Sequence, residues 1–180
     1  MVAARGGVAV TDGDGDGDGV NIRPLRKGDI QRGLLEALDA LRPTSGLMSG
    51  DRAEKILWDM ISDANRLVAV AEVGGAVVGT ATILFETKLI HGGGTAGHIE
   101  DVAVRREYQG AGIGGRMVRY LLNAAHERGC YKTVLDCEDG LVGYYQLLGF
   151  ERFSNGMRYN HSGRRRGSDL GGTPGGDNGA

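Results

Sequence analysis

Six residues, Gln109-Gly110-Ala111-Gly112-Ile113-Gly114, place three glycines at alternate positions between segments of different periodicity. Upstream, residues 98–104 read as a strand. Downstream, Ile113, Met117, Leu121 and Ala124 recur at helical spacing until Gly129 stops them. A strand, a glycine turn and a helix in that order put the helix N-terminus beside the end of the strand, which points to an α/β fold. Two familiar nucleotide loops do not fit. A dinucleotide loop follows its strand directly as Gly-x-Gly-x-x-Gly, with an acidic residue ~20 positions on; here the glycines alternate, and five residues separate Val104 from Gly110. A P-loop needs Gly-Lys followed by Ser or Thr, which this chain lacks. What remains is a glycine-rich turn with no ligand, or a set of unshielded N–H groups suited to an anionic pyrophosphate.

The surrounding chain is well punctuated. Residues 20–26 form a short edge strand, since Pro24 cannot join a central ladder. Asp29 can cap a helix bearing Ile30, Leu34, Leu38 and Leu41 on one face. Asp51 and Glu54 have capping-box spacing ahead of Ile56, Leu57, Met60 and Ile61. Residues 67–73 and 76–87 are strands joined at Gly74-Gly75, a hairpin signal. A loop opens at Gly92-Gly93-Gly94, residues 131–137 form a strand, 141–148 a short helix and 150–159 a last strand. The expected order is β-α-α-β-β-β-α-β-α-β, a mixed sheet flanked by helices.

Of 33 glycines, six lie in residues 1–19 and seven in residues 161–180. These ends read as disordered tails around one domain at residues 20–160. The run from Asp12 to Gly19 imitates the start of a calcium loop, but the twelfth position holds Arg23 or Leu25 where a bidentate Glu is required. The formal charge of −2 divides into −3 on the first tail, +1 on the second and zero on the body. A neutral body offers no electrostatic footprint for nucleic acid or an acidic membrane. No stretch approaches the ~18 apolar residues of a membrane span, and the start lacks the apolar run of a secretory signal, so a cytoplasmic protein is expected. On one strand, Cys130 and Cys137 would lie roughly 23 Å apart, too far to bridge, and read as reduced structural thiols.

Val102-Ala103-Val104 followed by Gln109-Gly110-x-Gly112-x-Gly114 resembles the acyl-CoA site of the GNAT-type N-acetyltransferase superfamily. Further blocks sharpen the likeness. They are Arg32-Gly33-Leu34-Leu35, Glu86-Thr87-Lys88-Leu89-Ile90-His91, Gly97-His98-Ile99-Glu100-Asp101-Val102-Ala103-Val104, Gly129-Cys130-Tyr131-Lys132 with Leu135-Asp136-Cys137, and Tyr144-Tyr145 with Gly149-Phe150. In order and without large gaps, over about residues 20–160, they resemble the glucosamine-6-phosphate N-acetyltransferase family.

The resemblance implies a mostly antiparallel sheet, splayed beside the glycine loop, where the acyl-pantetheine arm of acetyl-CoA lies like an added strand. Val102, Ala103 and Val104 would flank that arm, and Gly110, Ala111, Gly112, Ile113, Gly114 and Gly115 would hold the pyrophosphate. The sugar amine would attack the thioester directly, with no metal and no covalent enzyme intermediate. Tyr145 would assist departure of the thiolate and Asp136, near the amine, would accept a proton. Glu100 and Asp101 would meet the sugar hydroxyls and amine. As strand neighbours they face opposite sides unless a bulge intervenes, and carboxylates buried in an apolar strand are costly unless paired. Thr44, Lys88, His91, Tyr131, Lys132 and Arg158 would serve the sugar phosphate. A two-fold homodimer would share its sites.

Three departures from the family pattern stand out. Leu141 replaces an Asn. Gly115 stands where Lys is common, with Arg116 a candidate substitute for the lost charge. Arg158 directly follows Met157 instead of lying about three residues later, which changes the side to which it points. Two alternatives remain on sequence grounds: an acetyltransferase for another small amine, and a non-catalytic acyl-CoA sensor.

Overall fold

The computed structural model describes residues 19–159; apart from Gly19, both proposed tails, with the calcium-like run, lie outside the described residues. Five strands, β1 (Val20–Pro24), β2 (Arg66–Val73), β3 (Ala76–Thr87), β4 (Thr95–Val104) and β5 (Cys130–Leu135), form one open sheet in the order β1-β2-β3-β4-β5. The first four pair antiparallel and β5 joins β4 in parallel. The helices are α1 (Leu34–Leu38), α2 (Gly50–Ser62), a distorted single turn α3 (Ile90–Gly93), α4 (Ile113–Glu127) and α5 (Val142–Leu147). Pro24 ends the edge strand, as its missing N–H requires, and Gly74 and Gly75, at φ 55° and 84°, make the β2–β3 turn.

Both faces of the sheet are covered, which is why β2 and β3 read as continuous apolar runs instead of alternating ones. On one face α4 packs Ile113, Met117, Val118, Leu121 and Ala125 against Ile22, Ala69, Ala71, Val78, Ala81, Ile83 and Ile99. On the other, Leu34, Ala37 and Leu57 of α1 and α2 meet Leu25, Val68, Val70 and Val77. Burying each large side chain contributes about 1.5–3 kcal/mol relative to leaving it exposed. The amphipathic stripes of α2 and α4 thus hold these helices to the sheet.

Four expectations need correction. Asp29 caps no helix. It is fully buried, receives both Nη atoms of Arg23 at 2.8 Å, and accepts the Arg26 N–H at 2.8 Å. Residues 27–33 are consequently turns, and α1 shortens to five residues. The cap of α2 is Ser49, whose hydroxyl accepts the Arg52 N–H at 3.4 Å, not Asp51. Residues 151–159 form no strand: all nine are exposed, so no apolar face is buried to hold them against the sheet. Both cysteines are free, with Cys130 half-buried and Cys137 exposed, so only the former packs as a structural thiol.

The Arg23–Asp29 pair is dry on both sides, and Glu72 at 22% exposure supplies a second carboxylate to Arg23. Removing one member of such a pair strands the other charge, at a cost of about 3–5 kcal/mol. Asp29→Asn keeps the shape and removes the charge. It should lower the urea midpoint by an amount equivalent to about 3–5 kcal/mol, and an unchanged midpoint would show the pair to be neutral in folding.

Candidate active site

The parallel ladder between β4 and β5 runs from Thr95 opposite Cys130 to Ile99 opposite Leu135 and then stops. β4 continues for five more residues, 100–104, still paired with β3 on its other side. Among the described residues the sheet therefore splays where the resemblance implies, leaving one edge of β4 without a ladder. At the point of divergence β4 is irregular. Thr80 pairs with Ala103 but Thr82 pairs with Glu100, so β4 holds one extra residue, and Asp101 adopts φ 54°. This bulge releases Glu100 and Asp101 from strict alternation, and both side chains are exposed. The expected desolvation of a buried strand carboxylate does not arise here.

Beyond β4 the chain makes a 3-10 turn (Arg106–Tyr108) and enters the glycine loop. Gln109 Nε2 donates to the Val104 carbonyl at 2.9 Å, tying the loop back to the strand. Gly110 and Gly112 have φ 81° and 76°, a region that L side chains rarely adopt. Gly112 is the N-cap of α4 and no side chain caps the helix, so the N–H groups of its first turn, including Ile113, Gly114 and Gly115, have no intrahelical partner. They stand beside the open edge of β4. Ala111, between the two left-handed glycines, is exposed.

His98 is the residue that the sequence reading overlooked. Its Nε2 lies 3.4 Å from Glu100 Oε1 and 3.9 Å from Asp136 Oδ2, joining β4 to the end of β5. The spacing of His98 and Glu100, two apart on one strand, was a visible signal; the approach of Asp136 depends on β5 pairing and was not. Tyr145 is 8% exposed, its ring edge-on to Phe150 at 5.9 Å and to Tyr144 at 5.0 Å. Burial pushes its phenol above the usual value, with smaller contributions from Tyr144 and Cys137, so it stays protonated at neutral pH.

The residues expected at the sugar phosphate make the following contacts. His91 stacks on Tyr131 with ring centroids 4.3 Å apart, and Lys132 Nζ sits 4.5 Å from the Phe153 ring and 5.7 Å from that of Tyr131. Lys88 is engaged by Glu86. Thr44 and Asp101 both line a cavity of about 110 Å³ between the sheet and α1–α2, whose walls are otherwise mostly apolar. The Thr44 hydroxyl donates to the Arg42 carbonyl at 2.8 Å. Arg158 lies exposed in the irregular segment.

The sequence profile of the Acetyltransferase (GNAT) family matches residues 34–150. The chain belongs to this family. Glucosamine 6-phosphate N-acetyltransferase 1 of Oryza sativa subsp. japonica is 39% identical to it over 133 residues, covering 72% of this chain and 79% of the relative. The glucosamine 6-phosphate N-acetyltransferase of Candida albicans is 33% identical over 130 residues, covering 72% and 87%. The crystal structure of glucosamine-6-phosphate N-acetyltransferase from Arabidopsis thaliana superposes with a TM-score of 0.76 at 27% identity, covering 79% of this chain and 99% of that one. Acetyltransferases of this family use acetyl-CoA as co-substrate. Beside the loop, Arg116 Nη2 donates to the Val20 carbonyl at 2.9 Å.

The loop reading makes a direct prediction. A Cβ at Gly112 meets no atom within 4 Å, so Gly112→Val brings backbone strain and obstructs an approaching phosphate without clashing inside the protein. The KM for acetyl-CoA should rise at least about tenfold in a thiol-release assay, and an unaltered KM would remove the loop from the donor site.

Proposed function

We infer that the protein transfers the acetyl group of acetyl-CoA to the 2-amino group of glucosamine 6-phosphate, giving N-acetylglucosamine 6-phosphate and CoA. The observation that carries this reading is the open edge of β4 at residues 100–104 beside an uncapped helix N-terminus, in a chain 33–39% identical to glucosamine 6-phosphate N-acetyltransferases of a plant and a yeast. The pathway served is that of amino-sugar nucleotides such as UDP-N-acetylglucosamine.

The site residues take the following roles in this proposal. The glycine loop from Gly110 to Gly115 binds the pyrophosphate, and the edge of Val102, Ala103 and Val104 binds the pantetheine arm. Asp136, with His98 between it and Glu100, accepts a proton from the substrate ammonium. The free amine attacks the thioester carbonyl, the C–N bond forms, and the C–S bond breaks as the tetrahedral intermediate collapses. Tyr145, held protonated by burial, gives its proton to the departing thiolate and regains one from the new amide nitrogen. Asp101 and Thr44 face the sugar from the bulge side, while Lys88, His91, Tyr131, Lys132 and Arg158 serve the phosphate.

A homodimer completes the proposal. Phe153, Met157 and Tyr159 in the irregular segment are 73%, 98% and 81% exposed, and apolar surface of that size along one short segment favours burial against a second copy. The Tyr131–Lys132 stretch, in contact with Phe153, then reaches the neighbour's substrate. A cytoplasmic setting is consistent with the two free cysteines. Among the described residues no helix is long and apolar enough to cross a membrane.

The deciding experiment is thiol release from acetyl-CoA with glucosamine 6-phosphate, run beside glucosamine and glucosamine 1-phosphate. Turnover should require the 6-phosphate; indifference to it would indicate another amine, and silence with every amine would indicate a sensor. Tyr145→Phe should hold KM and reduce kcat by about 10²–10⁴; a kcat within twofold of wild type would move the acid role elsewhere. For the shared site, Lys132→Ala and Glu100→Ala chains should each be nearly inactive alone. Mixed after subunit exchange, they should recover about a quarter of wild-type activity, because half of the dimers then carry one intact pocket. No recovery would show that each subunit supplies its own site.

A further inference from the structure

Helix α5 carries two adjacent tyrosines, and the chemistry above uses only Tyr145. Tyr144 turns the other way, 37% exposed, its ring at 76° to that of Tyr145. Its hydroxyl lies 2.9 Å from the point that a Cβ on Gly114 would occupy and 3.6 Å from the corresponding point on Gly115. Val104 Cγ2 lies 3.8 Å from the same Gly114 point. The hydroxyl is therefore packed into the corner where the first turn of α4 meets the end of β4. Gly114 and its neighbours are glycines for different reasons. Gly110 and Gly112 have positive φ and open surroundings, whereas Gly114 has ordinary helical backbone and leaves its side-chain space to Tyr144.

Among the described residues this hydroxyl makes no hydrogen bond. Burial nevertheless raises the phenol above its usual value, with Arg119 opposing, so the group is a neutral donor with a proton to offer. Arg119, one turn along α4, brings Nη1 to 3.5 Å from the Gly115 point. A phenolic O–H, a guanidinium and the uncapped N–H groups of Ile113, Gly114 and Gly115 surround one turn of helix. All are donors, and among the described residues none is paired with an acidic side chain. This arrangement suits an anion, and it stands where the lysine common in the family is absent at Gly115.

We propose that Tyr144 is a donor-binding residue, whose hydroxyl hydrogen-bonds the phosphate end of the acyl-CoA where the pantetheine arm leaves the pyrophosphate. Tyr144 thereby sets how strongly the phosphorylated donor is preferred over one without phosphates. The inference rests on the reading that the glycine loop and the open edge of β4 hold the donor.

The test is Tyr144→Phe, which keeps the ring and removes the hydroxyl. The KM for acetyl-CoA should rise about tenfold, as for loss of one hydrogen bond to a charged group, with kcat and the KM for glucosamine 6-phosphate unchanged. With S-acetyl-pantetheine, which has no phosphate, wild type and variant should be equal. Gly114→Ala provides a second measurement: it should raise the acetyl-CoA KM in the wild-type background and add little in the Tyr144→Phe background, where the atom 2.9 Å away is gone. An unchanged KM for acetyl-CoA, or an equal loss with acetyl-pantetheine, would overturn the proposal. Calorimetric titration with CoA alone separates it from the functional reading. If wild type binds CoA but acetylates no amine, the Kd of the variant still decides the role of Tyr144.

Discussion

Backbone N–H and C=O groups inside a sheet must find partners, and residues 100–104 of β4 are laddered on one side only. This constraint organises the rest of the molecule. The bulge at Asp101 diverts the strand at the point where β5 leaves it, and the glycine loop carries the chain over the gap. The uncapped end of α4 then places a second set of unmatched donors beside the first. An extended ligand with an anionic end answers both. Its amide-containing arm can act as a strand along β4, and its phosphates can complete the first turn of the helix.

The opposite face of the sheet solves a different problem. β1 is a short edge strand, yet it carries the fully buried Arg23 between Ile22 and Pro24. Arg23 reaches Asp29 in the following turns and Glu72 on β2, so one guanidinium fixes where the chain leaves the sheet to begin α1. Well-packed apolar residues could match the stability of such a buried pair. Its geometry, with two carboxylates held by a single planar fork, defines the course of residues 25–33 more narrowly than apolar contacts would. The layer that walls the cavity behind Asp101 and Thr44 starts from that turn.

Much of this could be read from the sequence where local chemistry decides the outcome. The Gly74-Gly75 hairpin, the apolar stripe of α4 and the glycine loop each depend on residues within a few positions of one another. Where a distant partner decides, the reading failed. Asp29 has the composition of a helix cap, but a buried arginine six positions earlier claims its carboxylate. Asp51 and Glu54 have the spacing of a capping box, yet Ser49 lies closer to the true helix start. The segment after Phe150 has apolar residues enough for a strand, but all of residues 151–159 are exposed and none of their side chains finds a face of the sheet to cover. At the site, Glu100 and Asp136 were recognisable singly, whereas His98 between them became visible only once β5 had been aligned beside β4.

The single parallel pair in an otherwise antiparallel sheet has a consequence for how the molecule assembles. β2 and β3 can zip from a two-residue turn and β1 can add to them, but β5 cannot reach β4 until the crossover through α4 has formed and docked. Such non-local pairing closes a long loop before it returns any contact energy. β4 and β5 therefore pair only once α4 has crossed the sheet, and the gap between them, with everything that lines it, comes into being only then. A nascent chain released before residue 130 could bury α4 on a four-stranded sheet and still lack half of its reaction chamber.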